Sequence, residues 1–166
     1  MTLNNDALIK KDRLRFTKNK LSANLTYLAI IVNSLYFVSI YSSDVGQYYY
    51  TILIGASVLY NLIFMLVAFL SSEGVKSYNL GYGFALIALA VGQIIRIFIL
   101  PMQAHSEVIK LGEVEELVMK DGQFILVLVY LVGSAALCAI AGVVGIMKTT
   151  TLRAYEAQLE KRGSKT

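Results

Sequence analysis

The chain has 166 residues, 57% hydrophobic and 16% charged, with a formal net charge of +4. A soluble domain carries about a quarter charged residues, so this composition excludes an ordinary soluble globule. The lone Cys138 excludes an intrachain disulfide and a thiolate metal cluster, and the lone His105 excludes a site of paired histidines within one chain.

The first segment, 1–20, is basic, with Lys10, Lys11, Arg13, Arg15, Lys18 and Lys20 against Asp6 and Asp12. Leu3, Ala7, Leu14 and Leu21 are scattered through it, which suits a helix lying on an anionic inner leaflet. Each basic residue contributes about 1 kcal/mol at such a surface. Topology alone accounts for these charges, so no nucleic-acid partner is expected.

Charge-free runs follow at 21–43, 45–72, 77–95 and 122–147. A membrane-spanning helix needs roughly 20 mostly apolar residues, and each run reaches or approaches that length. The first run is longer than a signal peptide's apolar region and no A-x-A cleavage pattern follows it, so it is expected to be a retained span. The runs predict an all-α integral membrane protein: four transmembrane helices, at about 22–43, 48–71, 78–100 and 123–147, in an antiparallel bundle. The membrane domain is 21–147, with one basic cytoplasmic segment before it and another, 148–166, after it.

Pro101 cannot continue the backbone ladder and ends the third span. In the outer loop 101–122, Val114, Leu117 and Val118 share one helical face and Gly122 can close the end, which predicts a short amphipathic helix over 113–120. A hairpin is the alternative, with 108–111 as one strand and Gly112 in the turn. Either form makes this loop a lid on the bundle or a docking surface. After the fourth span, Leu152, Tyr155 and Leu159 recur at helical spacing and predict a cytosolic extension of that helix. The stripe is too short for an autonomous coiled coil and needs a neighbour, which makes these residues candidate partner contacts.

Lysine and arginine collect on the cytoplasmic side of short loops and tails. Both tails are basic; the outer loop is acidic, with Glu107, Glu113, Glu115, Glu116 and Asp121 against Lys110 and Lys120. Both termini are therefore expected inside, in a plasma or inner membrane. Tyr41, Tyr48, Tyr49 and Tyr50 flank the first loop, and Tyr27, Tyr78 and Tyr82 lie toward the other side, as interfacial anchors do.

Asn33, Asn61, Gln93 and Arg96 are the polar residues within the spans that call for an explanation. Unpaired polar groups are costly in hydrocarbon, so these four should face the bundle, and Asn33 and Asn61 could bond across the first hairpin. Ala85, Ala88, Gly92 and Arg96 recur at helical spacing, giving an inward face. Arg96 has two readings. It either snorkels outward to an acid such as Glu107 or Asp121, or lines an outward-facing cavity for an anion or carboxylate. In the fourth span, Ser134, Cys138 and Gly142 are spaced four apart, as are Ala141 and Gly145. These small residues form a candidate face for packing, within the bundle or against another subunit.

No span contains the aspartate or glutamate that proton-coupled antiporters use as a relay. No G-x-S-x-G, H-E-x-x-H or Walker-type pattern occurs, and His105 and Glu107 are too sparse for a metal site or a catalytic pair. Neither enzymatic activity nor a cofactor is expected. The expected function is that of an accessory, structural or regulatory subunit of a larger membrane complex. Its partners would be the lipid bilayer and another membrane protein subunit or further copies of itself. The alternative is a small oligomeric channel or transporter using the polar residues of spans one to three.

The orientation has a direct test. A reporter active only outside the cytosol should be active when fused within 101–122 and silent when fused after Lys161; the reverse pattern overturns the assignment.

Overall fold

The structure is a computed structural model that describes residues 18–41, 48–106, 108–111, 114–117 and 119–163. The expectations for the basic segment before Lys18, for the first loop with Asp44, and for Glu107, Gly112, Glu113 and Val118 lie outside the described residues. So do the side chains of Tyr48, Tyr49, Tyr50 and Leu159.

The elements are α1 (Lys20–Tyr41), α2 (Tyr48–Lys76), α3 (Leu80–Ile99), α4 (Pro101–Ser106), β1 (Val108–Leu111), β2 (Val114–Leu117) and α5 (Asp121–Gly163). Four helices, α1, α2, α5 and α3 with its continuation into α4, are long and apolar enough to cross a membrane, which marks a multi-pass membrane protein. Hydroxyls inside the helices bond back to the preceding turn, as Thr26 Oγ1 does to Ser22 O (2.9 Å) and Ser34 Oγ to Ile30 O (2.9 Å). Such back-bonding satisfies a hydroxyl without breaking the helix.

Burial runs opposite to that of a soluble protein. Asn33, Asn61, Gln93, Arg96 and Ser134 are buried, while Ile31, Val38, Leu59, Leu66, Phe98 and Val129 are exposed. A soluble monomer rarely exposes an apolar patch of more than a few hundred Å²; here lipid is the solvent for those side chains. α5 packs along α1 and α3, and α2 leans on α1 and α3 and meets α5 through fewer residues.

The ends of the helices are tied down locally. Asn19 caps α1, its side-chain oxygen accepting from Ser22 N (3.3 Å), and its own amide donates to Lys76 O (3.1 Å). Between α2 and α3, Tyr78 takes a left-handed conformation (φ 58°) and Asn79 caps α3 through Gly81 N (3.2 Å). The Tyr82 ring lies on Gly74, where any side chain would collide with it. At the other end, Leu100 breaks α3 and Pro101 opens α4 at the position where a missing N–H costs nothing.

The loop 101–122 takes the alternative hairpin in place of the expected amphipathic helix over 113–120. Residues Val114–Leu117 form a strand paired antiparallel with Val108–Leu111, in the register Val108↔Leu117, Ile109↔Glu116, Lys110↔Glu115 and Leu111↔Val114. An isolated helix of two turns does not repay its nucleation cost. Val108, Ile109 and Val114 are β-branched and favour extended backbone. The ladder is anchored beside a core of Tyr36, Ile40, Leu100, Ala104, Met119 and Val127. His105 joins it to α5, its ring stacked on Phe124 (centroids 4.3 Å apart) and its Nδ1 3.3 Å from Met119 O.

Two glycines set the closest helix approach. A methyl group on Gly142 would stand 2.8 Å from the Gly83 carbonyl oxygen, and one on Gly83 would stand 2.7 Å from Ile146 Cγ1. Overpacking of a filled core costs about 1–3 kcal/mol. Gly142→Val should therefore lower the thermal midpoint of the purified protein in detergent. Gly55→Ala, at a helical site with nothing within 4 Å, should not lower that midpoint.

Candidate functional site

A polar cluster joins the four long helices. α1 contributes Asn33, α2 contributes Ser57 and Asn61, α3 contributes Gln93 and Arg96, and α5 contributes Ser134. All are buried, with Arg96 4% exposed. Within each helix the members share a face, because Ser57 and Asn61 are four residues apart and Gln93 and Arg96 three.

Arg96 sits at the centre. Its Nη1 donates to Asn61 Oδ1 (2.7 Å) and to Asn33 Oδ1 (3.4 Å); its Nη2 donates to Ser57 Oγ (2.6 Å) and Ser57 O (3.3 Å). Gln93 Nε2 donates to Asn33 Oδ1 (2.8 Å) and Ser134 Oγ (3.2 Å), and Asn33 Nδ2 donates to Asn61 Oδ1 (3.1 Å). The network continues from Ser134 Oγ to Ala29 O (3.2 Å). Tyr36 and Tyr60 flank the guanidinium, their ring centroids 4.2 and 4.9 Å from Arg96 Cζ. Ring faces attract a cation more strongly once water is gone.

The structure thus brings together the four polar residues singled out in the sequence. Arg96 turns inward to the bundle, while Asp121 lies 3.8 Å from His105 Nε2. Ser57, Tyr36 and Tyr60 belong to the same site although sequence reasoning did not name them for it. Their signal is helical spacing: Tyr36 lies three residues after Asn33, and Ser57 lies one turn before Asn61.

Beside the cluster, a crevice of about 370 Å³ opens between α2 and α3. Its rim is formed by Ala56, Ile95 and Ile99, and its base by Ser57, Tyr60 and Arg96. The Tyr60 hydroxyl is buried and has no hydrogen-bond partner among the described residues. Gly92 makes room for it, since a methyl group there would lie 2.5 Å from Tyr60 Oη.

The small residues of α5 lie inside the bundle. Ser134, Cys138, Ala141, Gly142 and Gly145 are all buried. Ser22 Oγ donates to Ala141 O, Cys138 packs with Ala29 and Phe64, and Gly145 faces Val75 and Ser22. None of the five is left on the lipid-facing surface. On the α5 extension, Leu152 and Tyr155 are half-buried.

No group of three His, Cys, Asp or Glu side chains able to hold a metal ion occurs among the described residues. No protein-family model, curated protein or solved structure matches this chain.

Asn61 Oδ1 accepts from both Arg96 and Asn33. Leaving a buried donor without its acceptor costs about 1–3 kcal/mol, whereas removing both partners costs less. Asn61→Leu should thus destabilise the protein by about 2 kcal/mol. Adding Arg96→Met should restore part of that loss, as a double-mutant cycle of thermal stabilities in detergent would measure.

Proposed function

We propose that this chain is a non-enzymatic subunit of a larger membrane assembly, with four antiparallel spans and both termini in the cytoplasm. Cross-helix pairs support the antiparallel reading, since they run in opposite order along neighbouring helices: Asn19 with Lys76 and Asn33 with Asn61, then Ser22 with Ala141 and Ser134 with Ala29. The acidic outer loop and the basic tails support the orientation.

The observation that carries the assignment is the length of α5. Its 43 residues span about 65 Å at about 1.5 Å per residue, roughly twice the thickness of a hydrocarbon core. The stretch 148–163 continues the last span as one rod, with Leu152 and Tyr155 along it and Lys148, Arg153, Lys161 and Arg162 against Glu156 and Glu160 as its charges. Rigid continuity with the bundle gives that rod a set direction and makes it a handle for another protein. The polar cluster suits a static role, because its members hydrogen-bond one another across all the spans and hold the bundle in one arrangement.

The second reading is a small transporter or channel, and the crevice beside Arg96 is what favours it. One comparison separates the two. A subunit purified in mild detergent from its native membrane should bring down a second membrane protein at constant stoichiometry. Leu152→Glu with Tyr155→Glu should release that protein while the bundle stays monodisperse. Ion or solute flux from the chain reconstituted alone would overturn the subunit assignment in favour of transport.

A further inference from the structure

We infer that the hairpin β1–β2 is seated in the headgroup layer of the bilayer, with the paired Val108 and Leu117 turned toward the acyl chains. Val108 stands opposite Leu117 in the first rung of the ladder, and the two are 48% and 40% exposed. The bundle does not take up this rung, so the hairpin is not a lid held down by these residues. An isolated two-stranded hairpin is marginal in water and needs an apolar surface to pack on.

Contacts at the base of the hairpin set its height. Val108 comes two residues after the end of α4 at Ser106, and Leu117 four before the start of α5 at Asp121. Between Leu117 and α5, Met119 is fully buried with Leu100 and Ala104, and its carbonyl oxygen lies 3.3 Å from His105 Nδ1. The exposed rung is thus tied to the last turn of α4 and does not stand away on a stalk. α3 with α4 forms a span of 27 residues, about 40 Å long at about 1.5 Å per residue. That exceeds a hydrocarbon core of about 30 Å and matches a bilayer with its headgroups, about 40–45 Å. A span of this length that starts in one headgroup layer ends in the other, beside the rung.

The surroundings favour lipid over a second protein. Lipid-facing side chains continue up to the hairpin on both sides: Phe98, Ile99 and Met102 are exposed before Val108, and Ile125 and Leu126 after Leu117. Val108 and Leu117 prolong that surface with side chains that carry no polar group. Charges enter the ladder one rung further on, at Ile109↔Glu116 and then at Lys110↔Glu115. An apolar edge at the acyl boundary with charged residues beside it is the order of an interfacial segment. A hairpin held in this way fixes the depth of α3 and α5, and it does so for a subunit and for a transporter alike.

The chain contains no tryptophan, so a single one reports on its own surroundings. Val108→Trp and Leu117→Trp are to be made in the full chain and reconstituted into phosphatidylcholine vesicles. Ile125→Trp serves as the lipid-facing reference, and N-acetyltryptophanamide as the reference in water. Phosphatidylcholine brominated on its acyl chains should quench both hairpin variants nearly as strongly as Ile125→Trp. Aqueous iodide should quench them several-fold less than the soluble reference. A lipid-soluble carbene precursor should also label Val108 and Leu117 in the wild-type chain, which decides the matter even where both variants fail to fold. Variants that escape the brominated lipid and follow the soluble reference with iodide overturn the assignment and leave the rung as a surface for another protein. So does wild-type labelling that stops at Met102 and resumes only at Ile125.

Discussion

The bundle is organised around a guanidinium in hydrocarbon. Arg96 is buried among the spans, where an unpaired charge costs several kcal/mol. Arg96 must draw its acceptors from neighbouring helices, and it takes them from Asn61, Asn33 and Ser57. Each acceptor has its own remaining valence to fill. Asn33 Oδ1 also receives Gln93, which reaches Ser134, which in turn bonds the backbone of α1 at Ala29. Satisfying one cation therefore sets the rotation of four helices about their own axes. A turn of any one of them would strand a polar group where it has no alternative partner.

Close packing makes those short bonds possible. Gly83 and Gly142 let α3 and α5 come together with almost no side chain between them. Ser22, Ala141 and Gly145 do the same for α1 and α5. The small residues of α5 are consumed in this way, and large aliphatic side chains are turned outward to lipid. α2 is the loosest member, leaning on its neighbours through Phe64, Ala68 and Val75 and parting from α3 beside Arg96. The crevice is the consequence: an arginine long enough to bridge two helices holds them together without filling the space alongside.

Much of this was legible in one dimension. The spans, their number and the inward placement of Asn33, Asn61, Gln93 and Arg96 follow from the rule that polar groups in lipid must be paired. The helical continuation past Met147 is visible in the spacing of Leu152 and Tyr155. The loop 101–122 was legible only as a pair of alternatives, and the structure takes the hairpin rather than the favoured helix. The apolar spacing of Val114 and Leu117 fits a helical face, yet a lone two-turn helix does not repay its nucleation, whereas Val114–Leu117 pairs with Val108–Leu111. Ser57 and Tyr60 were also overlooked, because serine and tyrosine are common in spans and only their position beside Arg96 distinguishes them.

By itself the sequence determined which segments lie in the membrane, which residues must turn inward and where the small residues fall, because hydrophobicity and helical period are local properties. Tertiary structure alone decided that Arg96 bonds Asn61 and Ser57 across the bundle, with Asp121 set beside His105. It also decided that the small face of α5 closes on α1, α2 and α3, and that a crevice remains between α2 and α3. Those outcomes depend on the distances and rotations of helices far apart in the chain, and no local pattern encodes them.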